Sequence, residues 1–329
     1  MPRWSTRARG VLSADGRAGT LAGVTPNTFA WFKGHGTEND FVLLPDHDGS
    51  VHGTLEPALV AGLCHRRRGI GADGVMRVVR SAALDIDPAL AGDSEWFMDY
   101  RNADGSLSEM CGNGIRLFAL HLLQEGLAEA PMVIGTRAGP KTVTVDSAGA
   151  LCVDMGVPRL LGETKIAVGD HTWAAQHVDM GNPHAVAFVD DLARAGPLTV
   201  APTYDRAVYP GGVNVEFCVR RGVRHVAMRV HERGSGETRS CGTGACAVAV
   251  ACALADGVAP SSGTSRGPET YRVDLPGGTL RVTWAGDGHV LMAGPAEIVA
   301  GGQLQWHVPA GSRNRLPAGT YATSAEPYL

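Results

Sequence analysis

The sequence predicts an α+β protein of two pseudo-symmetric domains, each a mostly antiparallel, barrel-like sheet around a central helix. From Phe29 onward, short β-like runs alternate with Gly, Asp and Asn turns. Two segments, 111–126 and 241–257, break that pattern with helical length. Both open with Cys-Gly-x-Gly and they lie 241 − 111 = 130 residues apart, a single repeat of a unit far longer than a solenoid module.

In chain order, residues 1–25 carry Arg3, Arg7, Arg9 and Arg17 without an apolar run of signal-peptide kind, and a disordered leader is expected. The first domain is expected over 26–156. Within it, Gly69-Ile-Gly-Ala-Asp-Gly74 satisfies the dinucleotide-binding glycine pattern, but strand-like Val75–Arg80 follows where that fold needs a helix. The segment 111–126 ends at Gly126 and is apolar almost all round, as suits a helix wrapped by sheet. Thr142–Asp146 and Leu151–Met155 flank a Ser-Ala-Gly-Ala turn and read as a hairpin. The second domain is expected over 157–297, with its helix at 241–257. Tyr271–Leu275, Thr279–Trp284 and His289–Ala293 then form a meander. Residues 298–308 are expected to return as a strand to the first domain, and 309–329, rich in Pro, Gly, Ser and Ala, to form a flexible tail.

Composition narrows the function classes. With 44% hydrophobic and 19% charged residues and a net charge of −4, the chain is globular and poorly suited to nucleic acid or an anionic membrane. The uncharged stretch Ser240–Ala255 is shorter than the roughly 18 apolar residues of a membrane span. Seven scattered cysteines without a C-x-x-C pair imply reduced thiols and a cytoplasmic location. Twelve histidines without a paired H-x-x-x-H arrangement give no metal site. Arg66-Arg67-Arg68 reads as a solvated face or loop anchor. The 44 glycines are roughly twice the usual share of about 7%. Lys33, Lys141 and Lys165 are the only lysines among 29 basic residues, so GC-rich codon bias accounts for part of that excess.

The two helix starts carry the chemistry. A cysteine at a helix N-terminus faces unpaired backbone N–H groups and the positive end of the macrodipole, which favour thiolate. Gly112, Asn113, Gly242 and Thr243 can offer N–H groups to an anion such as a carboxylate. If Cys111 and Cys241 face each other across one cleft, one thiolate can remove an α-proton while the opposite thiol returns one on the other face. The bound carboxylate would then gather enolate-like charge between two helix ends. Cys246 and Cys252, inside the second helix, are expected to be core residues.

The motifs then resemble a known family. Phe32–Phe41, Arg67–Gly74, Met98–Arg116, Gly181–His184, Gly212–Phe217 and His231–Ala245 are similar, in order, to the motifs of diaminopimelate epimerases, over about residues 29–304. The resemblance implies an enzyme interconverting LL- and meso-2,6-diaminopimelate without pyridoxal phosphate or any other cofactor, in lysine and peptidoglycan precursor synthesis. It implies Cys111 and Cys241 as the acid and base pair, with the reacting carboxylate held at Gly112, Asn113, Gly242 and Thr243. Glu232 would take the ammonium, Arg233 would pair with the distal carboxylate, and Asn39, Asn102, Asn182 and Asn214 would read the non-reacting end. His184 and Glu232 are candidates for tuning the thiols. A homodimer is expected, although Ala300 stands where some members have an aromatic that supports the dimer. Glu38 stands where many members have Gly, and Gly74 where some have a substrate-contacting Gln. A proline or hydroxyproline racemase would share the two-cysteine logic but needs no site for a second amino-acid end. A thiol redox switch built on Cys111 and Cys241 is the alternative from another class.

Overall fold

In a computed structural model, which describes residues 27–258 and 267–306, the β-like runs become strands of one continuous mixed sheet. The expected leader at 1–25 and tail at 309–329 lie outside the described residues. The chain runs through β1 (Asn27–Gly36), β2 (Asn39–Pro45), α1 (Pro57–Cys64), β3 (Gly74–Arg80), α2 (Pro88–Ala91) and β4 (Trp96–Asn102) to α3 (Gly112–Gln124). It continues through β5 (Met132–Gly135), β6 (Lys141–Val145), β7 (Leu151–Asp154), β8 (Arg159–Val168), β9 (His171–Asp179) and β10 (Pro183–Phe188). Then come β11 (Thr203–Tyr204), β12 (Asn214–Gly222), β13 (His225–Glu232), β14 (Gly236–Thr238) and α4 (Gly242–Ala255). After α4 follow β15 (Glu269–Leu275), β16 (Gly278–Trp284), β17 (Val290–Gly294) and β18 (Glu297–Trp306). Residues Phe29–Gln303 form one compact unit.

The two halves share a pattern of strand pairing. β2–β3 is parallel, β3–β4 antiparallel and β4–β5 parallel, with α3 crossing between β4 and β5. In the same order, β10–β12 is parallel, β12–β13 antiparallel and β13–β15 parallel, with α4 crossing between β13 and β15. A parallel pair needs a long crossover, and in each half the helix supplies it. The equivalent strands β7 and β17 pair antiparallel, Val153 opposite Met292, and join the two patterns. The expected hairpin and meander are β6–β7 and β15–β16–β17. β18 pairs with β1.

Sheet surrounds both long helices. α3 packs against β2, β3 and β7, and α4 against β9, β10, β12, β15 and β16. Ile115, Leu117, Phe118 and Leu122 of α3 and the run Ala245–Ala253 of α4 are buried in one apolar cluster. α4 is built from Ala, Val, Cys and Gly over most of its length because strands approach it from several sides and leave little room for longer side chains. This packing fixes both helix N-termini, where Cys111 and Cys241 stand.

Candidate active site

Cys111 caps α3. Its backbone is extended (φ −138°, ψ 122°), and Sγ accepts the Gly114 N–H at 3.4 Å, in the place a Ser or Asp side chain would hold. The thiol also donates to Asn39 Oδ1 at 3.4 Å. Asn39 opens β2, directly after the two-residue turn Thr37-Glu38, and its Nδ2 donates to Asp73 Oδ2 at 2.8 Å. Arg66 bridges Asp40 and Asp73, so that part of the arginine triplet anchors the loop that orients Asn39.

Cys241 holds the same position before α4 in extended backbone (φ −123°, ψ 112°), without the side-chain cap bond that Cys111 makes. Its Sγ lies 3.6 Å from Thr243 Oγ1, which accepts Asn182 Nδ2 at 3.4 Å. Asn182 Oδ1 is 3.1 Å from His184 Nε2, and His184 Nδ1 is 2.6 Å from Glu216 Oε1. Glu232, the last residue of β13, hydrogen-bonds the Thr238 hydroxyl and the Cys241 thiol.

The two helix starts meet. A β-carbon on Gly242 would sit 3.4 Å from Gly112 Cα and 3.2 Å from Met292 Sδ, while one on Gly112 would sit 2.6 Å from Met292 Cε. The first glycine of each Cys-Gly-x-Gly motif therefore makes room for the Met292 thioether. Polar groups complete the junction: Asn113 Nδ2 donates to Ser240 Oγ at 3.1 Å, and Thr37 Oγ1 lies 2.5 Å from the same Ser240 hydroxyl. Arg116, wholly buried, donates to Asn113 Oδ1 at 2.8 Å and to Gly112 O at 3.1 Å.

Of the residues singled out in the sequence, Asn39, Cys111 and Asn113 form one hydrogen-bonded group. Cys241, Thr243, Asn182, His184 and Glu232 form a second. Asn214 Oδ1 accepts the Arg233 backbone N–H at 2.9 Å, and the exposed guanidinium lies against Gly211, whose carbonyl it reaches at 3.2 Å. Asn102 bonds Ser106 Oγ at 3.0 Å within its own turn and has no hydrogen bond to either group. Thr37, Arg116, Glu216 and Ser240 lie within the sequence motifs but were assigned no role from them, and Met292 lies outside every motif. Glu216 and Arg116 each left a sequence signal, a charge within an otherwise apolar stretch.

Burial and helix dipole oppose each other at the thiols, and burial wins. Desolvation pushes Cys111 up to about 11, against the N–H groups of Gly114 and Asn113 and the charge of Arg116. Cys241 is pushed well above the ordinary thiol value by burial and by the carboxylates of Glu232 and Glu216. A helix terminus contributes roughly 0.3–1 kcal/mol, whereas full burial can shift a pKa by about 3–5 units. Burial also raises Glu232. Both cysteines are thus poised as neutral thiols, and Cys111 faces the more cationic surroundings.

The chain matches the family described as Diaminopimelate epimerase over residues 31–161 and 176–299. It is 56% identical over 279 residues to the diaminopimelate epimerase of Streptomyces coelicolor, covering 84% of this chain and 95% of that protein. It is 46% identical over 287 residues to that of Rhodococcus opacus, covering 83% and 96%. Among solved structures, a Bacillus anthracis phenazine biosynthesis protein of the PhzF family has a TM-score of 0.58 at 16% identity, over 85% of this chain and 99% of its own. A hydroxyproline epimerase from Agrobacterium vitis has a TM-score of 0.55 at 14% identity, over 87% and 94%. At such identities the structural likeness speaks for the fold, and the sequence relatives speak for more: the chain belongs to the diaminopimelate epimerase family.

Proposed function

We propose that the protein converts LL-2,6-diaminopimelate to the meso form through Cys111 and Cys241, without pyridoxal phosphate. One observation carries the reading: two cysteine-capped helix N-termini abut, Gly112 Cα lying 3.4 Å from the β-carbon position of Gly242. A thiolate takes the α-proton and becomes a thiol. The opposing thiol delivers its proton to the other face of the carbanion and becomes a thiolate. Atoms and charge balance with no redox change, and the centre inverts.

Cys111, near Arg116 and two backbone donors, is the easier of the two to ionise in the empty site, while Glu232 and Glu216 disfavour charge on Cys241. Backbone N–H groups at Gly112, Asn113, Gly242 and Thr243 hold the reacting carboxylate, where their alignment matters most as charge develops. Glu232 receives the α-ammonium, Arg233 the distal carboxylate as a guanidinium fork, and Asn39, Asn102, Asn182 and Asn214 the remaining polar atoms of the second end. The halves 26–156 and 157–297 act as two lobes around the substrate. The enzyme works as a homodimer in the cytoplasm, in keeping with its seven free cysteines, all in described residues. No helix among the described residues is long and apolar enough to cross a membrane.

Incubation with LL-diaminopimelate in deuterated water tests the reading. Deuterium enters one α-position with inversion, and Cys111→Ala or Cys241→Ala abolishes turnover. A wild-type enzyme that exchanges proline and ignores diaminopimelate rejects the substrate assignment. Light scattering tests the dimer.

A further inference from the structure

Glu216 holds no atom of the substrate in the proposed reaction, yet its carboxylate is wholly buried on β12. Burying an ion is costly unless it is paired. Its partner is His184, 2.6 Å away and equally buried, while Oε2 has no hydrogen-bond partner. Alternation along β12 puts Asn214 and Glu216 on one face, and the parallel register with β10 sets His184 beside Asn214. From His184 the hydrogen bonds continue through Asn182 and Thr243 to Cys241 Sγ. A β-carbon on Gly244 would sit 2.7 Å from Glu216 Oε1 and 3.3 Å from Cys241 Sγ. The second glycine of the Cys-Gly-Thr-Gly motif therefore keeps open the space in which carboxylate and thiol approach each other.

Asn182 Oδ1 and an ionised carboxylate both only accept hydrogen bonds, so the ring that bridges them donates from Nε2 to Asn182 and from Nδ1 to Glu216. We propose that Glu216 is a positioning residue for proton transfer at Cys241: by holding His184 Nδ1–H it fixes the ring, and through the ring the Asn182 and Thr243 hydrogen bonds that end on the sulfur. The inference rests on the two-cysteine reading above. Removing the acceptor frees the ring to turn, and the line to Cys241 loses its anchor.

The test compares Glu216→Gln, which keeps an acceptor oxygen, with Glu216→Leu, which keeps volume alone, in steady-state kinetics on LL-diaminopimelate. Long-range 1H–15N correlation spectra of His184 accompany the rates. E216L loses kcat by roughly ten- to a hundredfold, the range set by leaving a buried donor unpaired, with KM within about threefold of wild type. E216Q recovers most of the rate, and His184 in the wild type carries a proton on Nδ1. A wild-type kcat in E216L, a loss confined to KM, or an unprotonated Nδ1 in the wild type each overturns the proposal. Should E216L not fold, the wild-type spectrum and the E216Q rate decide, and a Gln variant as inactive as Cys241→Ala overturns it. A wild type inert on diaminopimelate instead defeats the earlier reading, while the Nδ1 measurement still answers for Glu216.

Discussion

Gly112 and Gly242 meet across a single side chain: Met292 packs against both, and the α-carbon of the first lies 3.4 Å from the β-carbon position of the second. Each helix start is thereby held by the other. The cysteine before each of these glycines is a free thiol.

Gly112→Ala is expected to destabilise the protein by about 1–3 kcal/mol, the usual cost of overpacking a full core. Its methyl would fall 2.6 Å from Met292 Cε and 3.2 Å from Met155 Cε, and both methionines are buried. Met292→Val in the same chain shortens the obstructing side chain and recovers part of the loss. Denaturant melts of the two single variants and the double give the coupling; strictly additive losses would mean that the two residues do not compete for the same space.

Glu38→Gly is expected to leave stability unchanged or raise it by up to about 1 kcal/mol. Glu38 closes the β1–β2 turn at φ 63°, in the left-handed region where a side chain costs roughly 1–2 kcal/mol. Against that stands an exposed ion pair with Arg239, of a class contributing about 0–1 kcal/mol. A marked fall in the unfolding midpoint would show that the Arg239 tether outweighs the strain.

The two long helices, the meander and a cysteine at each helix start were legible in the sequence because each depends on local pattern: apolar periodicity, turn residues, and a cysteine before two glycines. The groups that join the helix starts were not. Thr37 meets Ser240 and Asn113 only because the β1–β2 turn folds onto the approach to α4, a contact across 203 residues. The glycine motifs were legible but their purpose was not, since Met292 lies far along the chain from both. Burial reversed the expected direction of the thiol shifts for a similar reason. The dipole is a property of the local helix, whereas desolvation depends on everything packed around it.

Raising the pH from 8 to 10 is expected to lower the denaturation midpoint. Burial raises Cys64 and Cys111 to about 11 and Cys246 to about 12, against an ordinary value of 9.0. Between the unfolded and folded values the native protein holds protons that the unfolded chain has released, so stability is complete below about 9 and falls as pH rises toward 11. Each such thiol contributes at most about 1.4 kcal/mol per pH unit in that window. Urea melts under reducing conditions at several pH values read the slope. A midpoint that rises over this range contradicts the burial of the thiols.

Gly74→Gln is expected to destabilise the fold by about 3 kcal/mol or more rather than restore a substrate contact. A β-carbon at residue 74 would lie 2.5 Å from Tyr100 Cε2 and 2.6 Å from the Arg101 carbonyl oxygen. The ring is held edge-on against Phe41, with centroids 5.6 Å apart, and the carbonyl belongs to the β3–β4 ladder in which Gly74 faces Asn102. Tyr100→Ala therefore removes only one of the two obstacles, because the backbone oxygen stays where the strand pairing puts it. Overpacking of a flexible side chain is cheap to relieve and overpacking of backbone is not, which places this substitution at the upper end of the usual range. Circular dichroism and denaturant melts of Gly74→Gln, alone and with Tyr100→Ala, separate the two obstacles. If Tyr100→Ala restores full stability, the carbonyl yields and the glycine is dictated by the ring alone; if the single variant is as stable as wild type, neither obstacle governs residue 74.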